Sequence, residues 1–517
     1  SAKSASASSA ASAANDTVDE DGKVNGIMYQ EGLPLVDEGD YTFSIFCDDS
    51  SESGEFIMLD EFKKQTNVDV DLKIYPYETA TERLNLDLNS GDYADVIGGW
   101  TLSDNAILTY GVNQGVFIPL EDYFEKYCPN ISAILDLPGV REKMTAPDGH
   151  IYTIPYVCGD TTVGYSPYIN TKWLENVGMS MPTTTDEFEA VLKAFKEQDA
   201  NGNGDASDEI PFSTDPNNKH IEAMAGYFGL PMNKLGIAIQ DEKVVYGGVS
   251  NTYREFLSWF HKLYADGLVD VELYTQDSST WEGKGSRDLY GVSIAYGSNE
   301  FSGIARGPEK SVWDVLPVLN TENGGIWLRD TSGFSVYRTQ AVITNKAEHP
   351  EIICRWFDNA FALENGIGCN RGPVGVIVNK EDDGYHAIDT TTLSEEDQEK
   401  YSWSNLWPQS LPKYLPADFE FVEEHPMYDE KKATEEAYEA NLTKEIIPSY
   451  WIDLDKIDTF SDTNTAIKDF FEQQQAQFVC GELDIDNDAD WQAYVDGMYS
   501  LGLEDWVATQ GIEEIAK

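Results

Sequence analysis

Apolar side chains along the first hundred residues switch between two periods. Tyr41-Thr-Phe-Ser-Ile-Phe-Cys47 reads as a buried strand and stops at the polar run Asp48-Asp49-Ser50-Ser51. Residues 55–65 space their apolar positions for one face of a helix, and Val68-Asp-Val-Asp-Leu-Lys-Ile74 alternates with period two. Residues 80–90 return to the helical period, and Gly91 to Trp100 contains the apolar pair Val96-Ile97. Strand, helix, strand, helix, strand is the rhythm of a parallel sheet faced by helices.

The rhythm then repeats. Thr162 to Ser166 reads as a short strand, Thr171 to Val177 and Thr185 to Gln198 as helices, and residues 250–266 as a strongly amphipathic helix. Gly291 to Tyr296 and Ser335 to Ile343 read as strands, with a helix from about Pro350 to Leu363. The last hundred residues are largely helical, with apolar positions at 467, 470, 471 and 478 and again at 491, 494, 495, 498 and 501. No fixed-period repeat is visible. The pattern predicts an α/β protein.

Composition narrows the function. With 92 acidic against 35 basic residues, the net charge of −57 repels phosphate backbones and anionic lipid. Nucleic acid is excluded as a partner. An apolar content of 41% supplies substantial cores in 517 residues, and no run of eighteen apolar residues spans a membrane. Residues 1–14 are Ser and Ala except Lys3, and residues 15–23 are polar and acidic, so residues 1–39 are expected to form a disordered tether. Cys47, Cys128, Cys158, Cys354, Cys369 and Cys480 form no CxxC pair, which excludes a zinc ribbon or a thioredoxin motif.

Asp199-Ala-Asn-Gly-Asn-Gly-Asp-Ala-Ser-Asp-Glu209 is the densest chemical signal. Asp199, Asn201, Asn203 and Asp205 put a side-chain oxygen at every second residue, and Gly202 and Gly204 let the loop curl. A hard cation such as Ca2+ needs six to eight converging oxygens, and Asp208 and Glu209 supply carboxylates to close the set. Glu209 stands at the eleventh loop position, one short of an EF-hand. The segment holds no nucleophile or base, so the expected Ca2+ is structural. Asp484, Asp486, Asp488 and Asp490 alternate in the same way but lack glycines, and Asp488 or Asp490 is read as the cap of a helix beginning at Trp491.

Four segments give the chain a family likeness: Ser90 to Trp100, Val116 to Tyr123, Ile151 to Phe188 with the Asp199–Glu209 loop, and Gly481 to Leu503. Together they resemble the family-1 extracellular solute-binding proteins, in the long Gram-positive branch of carbohydrate receptors for ABC importers. The resemblance implies a two-lobed, periplasmic-binding-protein-like (type II) α/β fold with the ligand cleft between lobes. The first lobe would hold 40–157 and 328–385, and the second 158–327 and 386–517. It also implies an extracellular, lipid-anchored monomer of a Gram-positive bacterium, delivering an oligosaccharide to the transmembrane subunits of an ABC permease.

A sugar presents C–H faces to aromatic rings and hydroxyl rims to planar polar groups. Trp100 stands just past a strand, where the family places a ligand contact, and Asp48 and Asp49 end the first strand of the sheet. Tyr296 and Asn299 resemble the aromatic cleft loop of the family. Trp281, Trp327, Arg329 and Arg371 are further ligand candidates, and Trp403, Trp407 and Trp451 are read mainly as packing residues. Six scattered histidines, with no HExxH, GxSxG, P-loop or dinucleotide fingerprint, argue for a binding protein and against an enzyme. A glycoside hydrolase, which needs only two carboxylates, and a surface adhesin without a transport role are the alternatives.

Overall fold

The computed structural model describes residues 16–49, 55–216, 220–302, 312–422, 426–512 and 514–516. The chain divides into two units. Unit 1 draws on Ser1–Asp160, Phe334–Glu423 and Trp451–Ile457, and unit 2 on Thr161–Gly333, Glu424–Tyr450 and Asp458–Lys517. Their main sheets use strands β1 (Tyr41–Asp48), β2 (Val68–Tyr75), β3 (Val96–Gly98), β4 (Thr153–Gly159), β5 (Ser166–Asn170), β6 (Ile210–Thr214), β7 (Tyr290–Ala295), β8 (Trp313–Val315), β9 (Phe334–Ile343) and β10 (Tyr414–Leu415). Helices referred to below are α1 (Ile57–Thr66), α2 (Thr185–Glu197), α3 (Asn251–Ala265), α4 (Ser278–Gly285), α5 (Pro350–Asp358), α6 (Ile457–Cys480) and α7 (Asp488–Ser500).

In unit 1 the sheet order is β10-β4-β9-β3-β1-β2. β1 pairs in parallel with both β2 and β3, while β9 runs antiparallel between β3 and β4. The βαβ rhythm read from the first hundred residues is present. α1 lays Met58 and Phe62 on the core and ends at Asn67, whose φ of 61° turns the chain into β2. Phe62, Trp356 of α5 and Trp407 meet ring to ring in the middle of this core.

Two expectations about unit 1 are corrected. Residues 16–39 are not a tether: Val24, Met28, Leu35 and Val36 are at most 1% exposed in its core. Asn67 also donates its amide to the Val36 carbonyl at 3.1 Å. Four apolar residues in a polar stretch cannot fold alone, yet they bury against a surface built by other elements. Residues 1–15 lie outside the described residues. The expected second-lobe stretch 386–517 also loses its beginning to unit 1, along with Trp451–Ile457. β10 pairs in parallel with β4, and Trp407 and Leu411 are buried in the unit 1 core. The chain changes unit after Asp160 and Gly333, not at the expected 157 and 327.

Unit 2 has the sheet order β8-β5-β7-β6, with β6 parallel to β7 and β5 antiparallel to β7 and β8. α2 opens on a cap: the Thr184 hydroxyl accepts from the Glu187 N–H, and the Glu187 carboxylate accepts from the Thr183 N–H at 2.8 Å. Phe188, Val191, Leu192 and Phe195 then face the core at helical spacing, as do Tyr253, Phe256, Leu257, Phe260 and Leu263 of α3. The C-terminal pattern becomes α6 and α7, burying Ile467, Phe471, Phe478, Trp491, Tyr494 and Met498. α7 starts three residues earlier than expected, and its cap is Asn487 rather than Asp488 or Asp490. Five cysteines are buried and Cys480 is exposed; no disulfide joins them.

Candidate functional site

On unit 1 the candidate site grows from an irregularity in one strand. β9 pairs with β3 through Ala341–Gly98 and with β4 through Tyr337–Tyr156 and Ala341–Ile154. Four residues of β9 thus answer two of β4. Pro155 lies in that interval and has no N–H to give the ladder, which accounts for the slip. The bulge holds Arg338, Thr339 and Gln340 just beyond the C-terminal end of β3, on the level of Trp100. Bulges of this kind re-aim side chains beside functional sites.

Three aromatic rings come together there. Trp100 meets Tyr337 edge to face at 5.4 Å, and Tyr337 stacks on Tyr156 at 5.5 Å with 17° between the planes. Trp100 keeps 43% of its surface exposed, an unusual amount for so large an apolar ring. The Tyr337 hydroxyl donates to Asp160, and the Tyr156 hydroxyl donates to Asn370 at 3.3 Å. Beneath Tyr156 lies the ammonium of the buried Lys413, 5.0 Å from the ring centre. Burial pushes its pKa down to about 8, against an upward pull from the thiols of Cys369 and Cys158 and from Asp49.

Asp48 serves this site from within. Its carboxylate is 1% exposed and accepts from the Trp100 N–H at 3.0 Å, the Thr101 N–H at 2.6 Å and the Thr101 hydroxyl. Gly99 makes the approach feasible: its φ is 134°, and a Cβ there would stand 2.5 Å from the Asp48 carboxyl carbon. Asp49 is 2% exposed and accepts from the Gln409 N–H at 2.7 Å. Both aspartates were expected as ligand groups at the end of β1. They are at the expected place, with their carboxylates turned onto the protein's own loops.

On unit 2, Tyr296 follows β7 as expected and lies edge-on to Tyr165 at 5.9 Å. The ammonium of Lys431 sits 3.7 Å above the Tyr296 ring and donates to the Gly164 carbonyl at 2.7 Å. His220, held at a left-handed φ of 48°, stacks on Tyr165 at 4.1 Å. Burial drives its pKa down to about 3, so the imidazole is neutral, and its Nε2 is buried without a hydrogen-bond partner. Asn299 lines a cavity of about 410 Å³ together with Ser279, Glu282, Ser286 and Glu300.

The remaining candidates fall elsewhere. Trp281 is 3% exposed, packs on Phe301 and donates to Ser293 at 3.1 Å. Trp327 is 2% exposed between Tyr227 and Tyr438. Both are core residues of unit 2, which corrects their reading as ligand contacts. Arg329 spends its guanidinium on the Thr443 carbonyl and on Glu439, and Arg371 donates to the Asn370 carbonyl at 3.1 Å. Sequence reading missed Tyr156, Tyr337 and Arg338. Tyr337 and Arg338 lie on a strand it found, Tyr156 lies on β4, which it did not read as a strand, and the signal that marks them is Pro155 facing the bulge.

The Asp199–Glu209 loop curls as its composition suggested. Gly202 and Gly204 take φ of 77° and 93°. Side-chain oxygens of Asp199, Asn201, Asn203 and Asp205 accept from the N–H groups of Gly204, Asn203, Asp205 and Ser207 in turn. Asp208 accepts from the amides of Asn201 and Asn203. At the two ends of the loop, Asp199 Oδ1 and Glu209 Oε2 are buried with no hydrogen-bond partner. Burial holds the Glu209 carboxyl above its usual range. Two orphaned carboxylate oxygens in an all-oxygen loop suit a hard cation.

Comparison with known proteins shows the family and the fold. The profile of the bacterial extracellular solute-binding proteins matches residues 50–366. The fructooligosaccharide ABC transporter substrate-binding protein FusA of Streptococcus pneumoniae is 34% identical over 335 residues, 63% of this chain and 61% of FusA. The chain therefore aligns with somewhat less than two thirds of that curated relative. An EF-hand mutant of FusA in complex with fructo-nystose superposes with a TM-score of 0.79 at 27% identity, covering 91% of this chain and 98% of that one. An HMO binding, ABC-transporter associated solute-binding protein from Bifidobacterium longum infantis shares the fold, with a TM-score of 0.73 at 21% identity over 92% of this chain and 98% of that one.

Proposed function

The chain belongs to the bacterial extracellular solute-binding proteins and has their two-lobed, type II α/β fold, and from that premise we propose that it captures an oligosaccharide for an ABC importer. The observation that carries this reading is the ring cluster of Trp100, Tyr337 and Tyr156. An exposed indole set against a tyrosine pair offers flat apolar faces to the C–H surface of a sugar ring. Asp160 and the tyrosine hydroxyls offer hydrogen bonds to its rim. A fructooligosaccharide is the first cargo to test, since FusA is named for that class. Tyr296, Asn299 and the neutral His220 on unit 2 are further ligand groups in this reading.

The partners follow from the same reading: the oligosaccharide and the transmembrane subunits of a permease. In this reading the receptor works outside the cell, held at a Gram-positive surface by a lipid anchor. The Asp199–Glu209 loop holds a structural Ca2+, with Asp199, Asn201, Asn203, Asp205, Asp208 and Glu209 as the donor set. The buried, unpartnered oxygens of Asp199 and Glu209 support it. When bound, the ion would supply the positive charge that offsets these carboxylates.

Calorimetric titration with kestose, nystose and other oligosaccharides of defined linkage tests the proposal. A saturable one-to-one isotherm, with the sugar recovered intact, is the expected result. Cleavage of the sugar would establish the hydrolase alternative, and a flat panel on folded protein would refute the oligosaccharide reading.

A further inference from the structure

We propose that Arg338 is a positioning residue for the exposed Trp100 ring, and that Trp451 is the cover that makes its grip effective. The inference rests on unit 1 binding a sugar at Trp100 and adds the residues that hold that ring in place.

Trp100 lies in the stretch Gly99–Ser103, between the end of β3 and Asp104. The indole keeps 43% of its surface exposed and meets Tyr337 edge to face, so its direction depends on the backbone that carries it as well as on that ring. Asp48 holds the first half of the stretch through the N–H groups of Trp100 and Thr101. Arg338 holds the other end. Its Nε donates to Asp104 Oδ1 at 2.8 Å, and its Nη2 donates to Asp104 Oδ2, a two-pronged pair that fixes orientation as well as distance. Ser103, next to Asp104, caps the single helical turn Asp104–Ala106 by accepting from the Ala106 N–H.

Arg338 is not placed to touch ligand itself. It is 6% exposed, and its fork is spent on Asp104. One face of the guanidinium is covered by the Trp451 ring, centred 4.2 Å away. Trp451 is in turn fixed by its indole N–H, which donates to the Lys143 carbonyl at 3.0 Å. Excluding water from one side strengthens both the ion pair and the cation–π contact. Asp48, Asp104, Arg338 and Trp451 therefore form one frame around a single exposed ring.

A double-mutant cycle tests the assignment. Kestose affinity is measured by calorimetry for wild type, Arg338→Lys, Trp100→Ala and the double variant. Lysine keeps the charge and loses the fork. We expect Arg338→Lys to weaken binding about tenfold when Trp100 is present and less than about twofold when it is absent. An equal loss in both backgrounds would overturn the proposal, because Arg338 would then act on the ligand or on the fold and not through Trp100. Binding that Arg338→Lys leaves untouched would overturn it as well.

A second readout needs no ligand. The near-ultraviolet circular dichroism of Trp100, taken as wild type minus Trp100→Phe, should shrink by half or more in Arg338→Lys, Asp104→Asn and Trp451→Ala. An unchanged difference spectrum in all three would refute the positioning role even if kestose fails to bind. Failure of wild type to bind any sugar, with the difference spectrum reduced as expected, would refute the functional reading and leave the frame supported.

Discussion

Asp48 sets stability against binding, and the conflict is measurable. Burial pushes its pKa from 3.8 up to about 6, while the N–H groups of Thr101 and Trp100 pull it down. A rise of about two units corresponds to about 3 kcal/mol, at 1.36 kcal/mol per unit. The folded pKa is the higher one, so between about pH 4 and pH 6 the folded protein binds a proton that the unfolded chain has released. Stability therefore falls as pH climbs through that window and is flat above it. At pH 7 the charged carboxylate costs the fold up to about 3 kcal/mol, and its hydrogen bonds to the Trp100 loop justify the charge only if the loop matters for function.

Asp48→Asn removes the charge and keeps the shape, but its amide nitrogen accepts nothing. One of the three donors then loses its partner, at about 1–3 kcal/mol. The two effects nearly cancel at pH 7, so the variant should melt within about 4 °C of wild type. Its affinity for kestose should drop about tenfold, or about 1.4 kcal/mol, because the Trp100 loop is released. Wild-type affinity should weaken from pH 7 to pH 5 with a midpoint near 6, and the variant should lack that slope. Asp358, also pushed up to about 6 by burial, titrates in the same window. It accepts from the Ile131 N–H at 2.7 Å, so Asp358→Asn should alter the pH slope of stability and spare that of affinity. The reasoning fails if Asp48→Asn keeps the wild-type pH slope of affinity, or melts well below wild type while binding normally.

Other expectations can be checked alongside. Trp100→Ala should cost about 2 kcal/mol of binding, roughly thirtyfold in Kd by calorimetry, with little change in melting; unchanged affinity would remove the ring from the site. Chelation by EDTA should lower the melting temperature, by the equivalent of about 2.7 kcal/mol when calcium had been a hundredfold above its Kd, and Asp199→Ala should abolish the difference. Trp281→Ala should destabilise by about 3–5 kcal/mol in denaturant melts yet leave Kd within about twofold, as befits a core residue. Leu411→Ala should cost about 2–5 kcal/mol, and the loss should appear as earlier exchange of β3 and β9 amides in unit 1 rather than of unit 2 strands.

Much of the fold was legible because period is a local property. The alternation of Val68 to Ile74 and the spacing of Phe188, Val191, Leu192 and Phe195 need no partner to be read. The exposure of Trp100 fits its place in the sequence, because a large ring directly after a short apolar strand is poorly placed to be buried. Trp281 and Trp327 were misread because their burial depends on residues far along the chain, Phe301 for one and Tyr227 and Tyr438 for the other. Residues 16–39 hid for a further reason, since Val24, Met28, Leu35 and Val36 matter only once a neighbouring surface exists. The bulge at Arg338 was beyond reach of strand periodicity, because a slip is a property of two strands and only Pro155 hints at it.

The interleaving of the two units bears on how the protein is made. β3 and β9 pair at Gly98 and Ala341, so about 240 residues separate the emergence of one partner from that of the other. At roughly 5–20 residues per second, the edge of β3 waits some 12–50 s for its neighbour. Through that interval an apolar strand has open N–H and C=O groups on one side, a template for mispairing. Unit 1 is complete only once Ile457 has emerged, and unit 2 only with the last residues of the chain, so synthesis that stops before residue 457 leaves neither unit whole and should yield a substrate for proteases rather than a half-receptor.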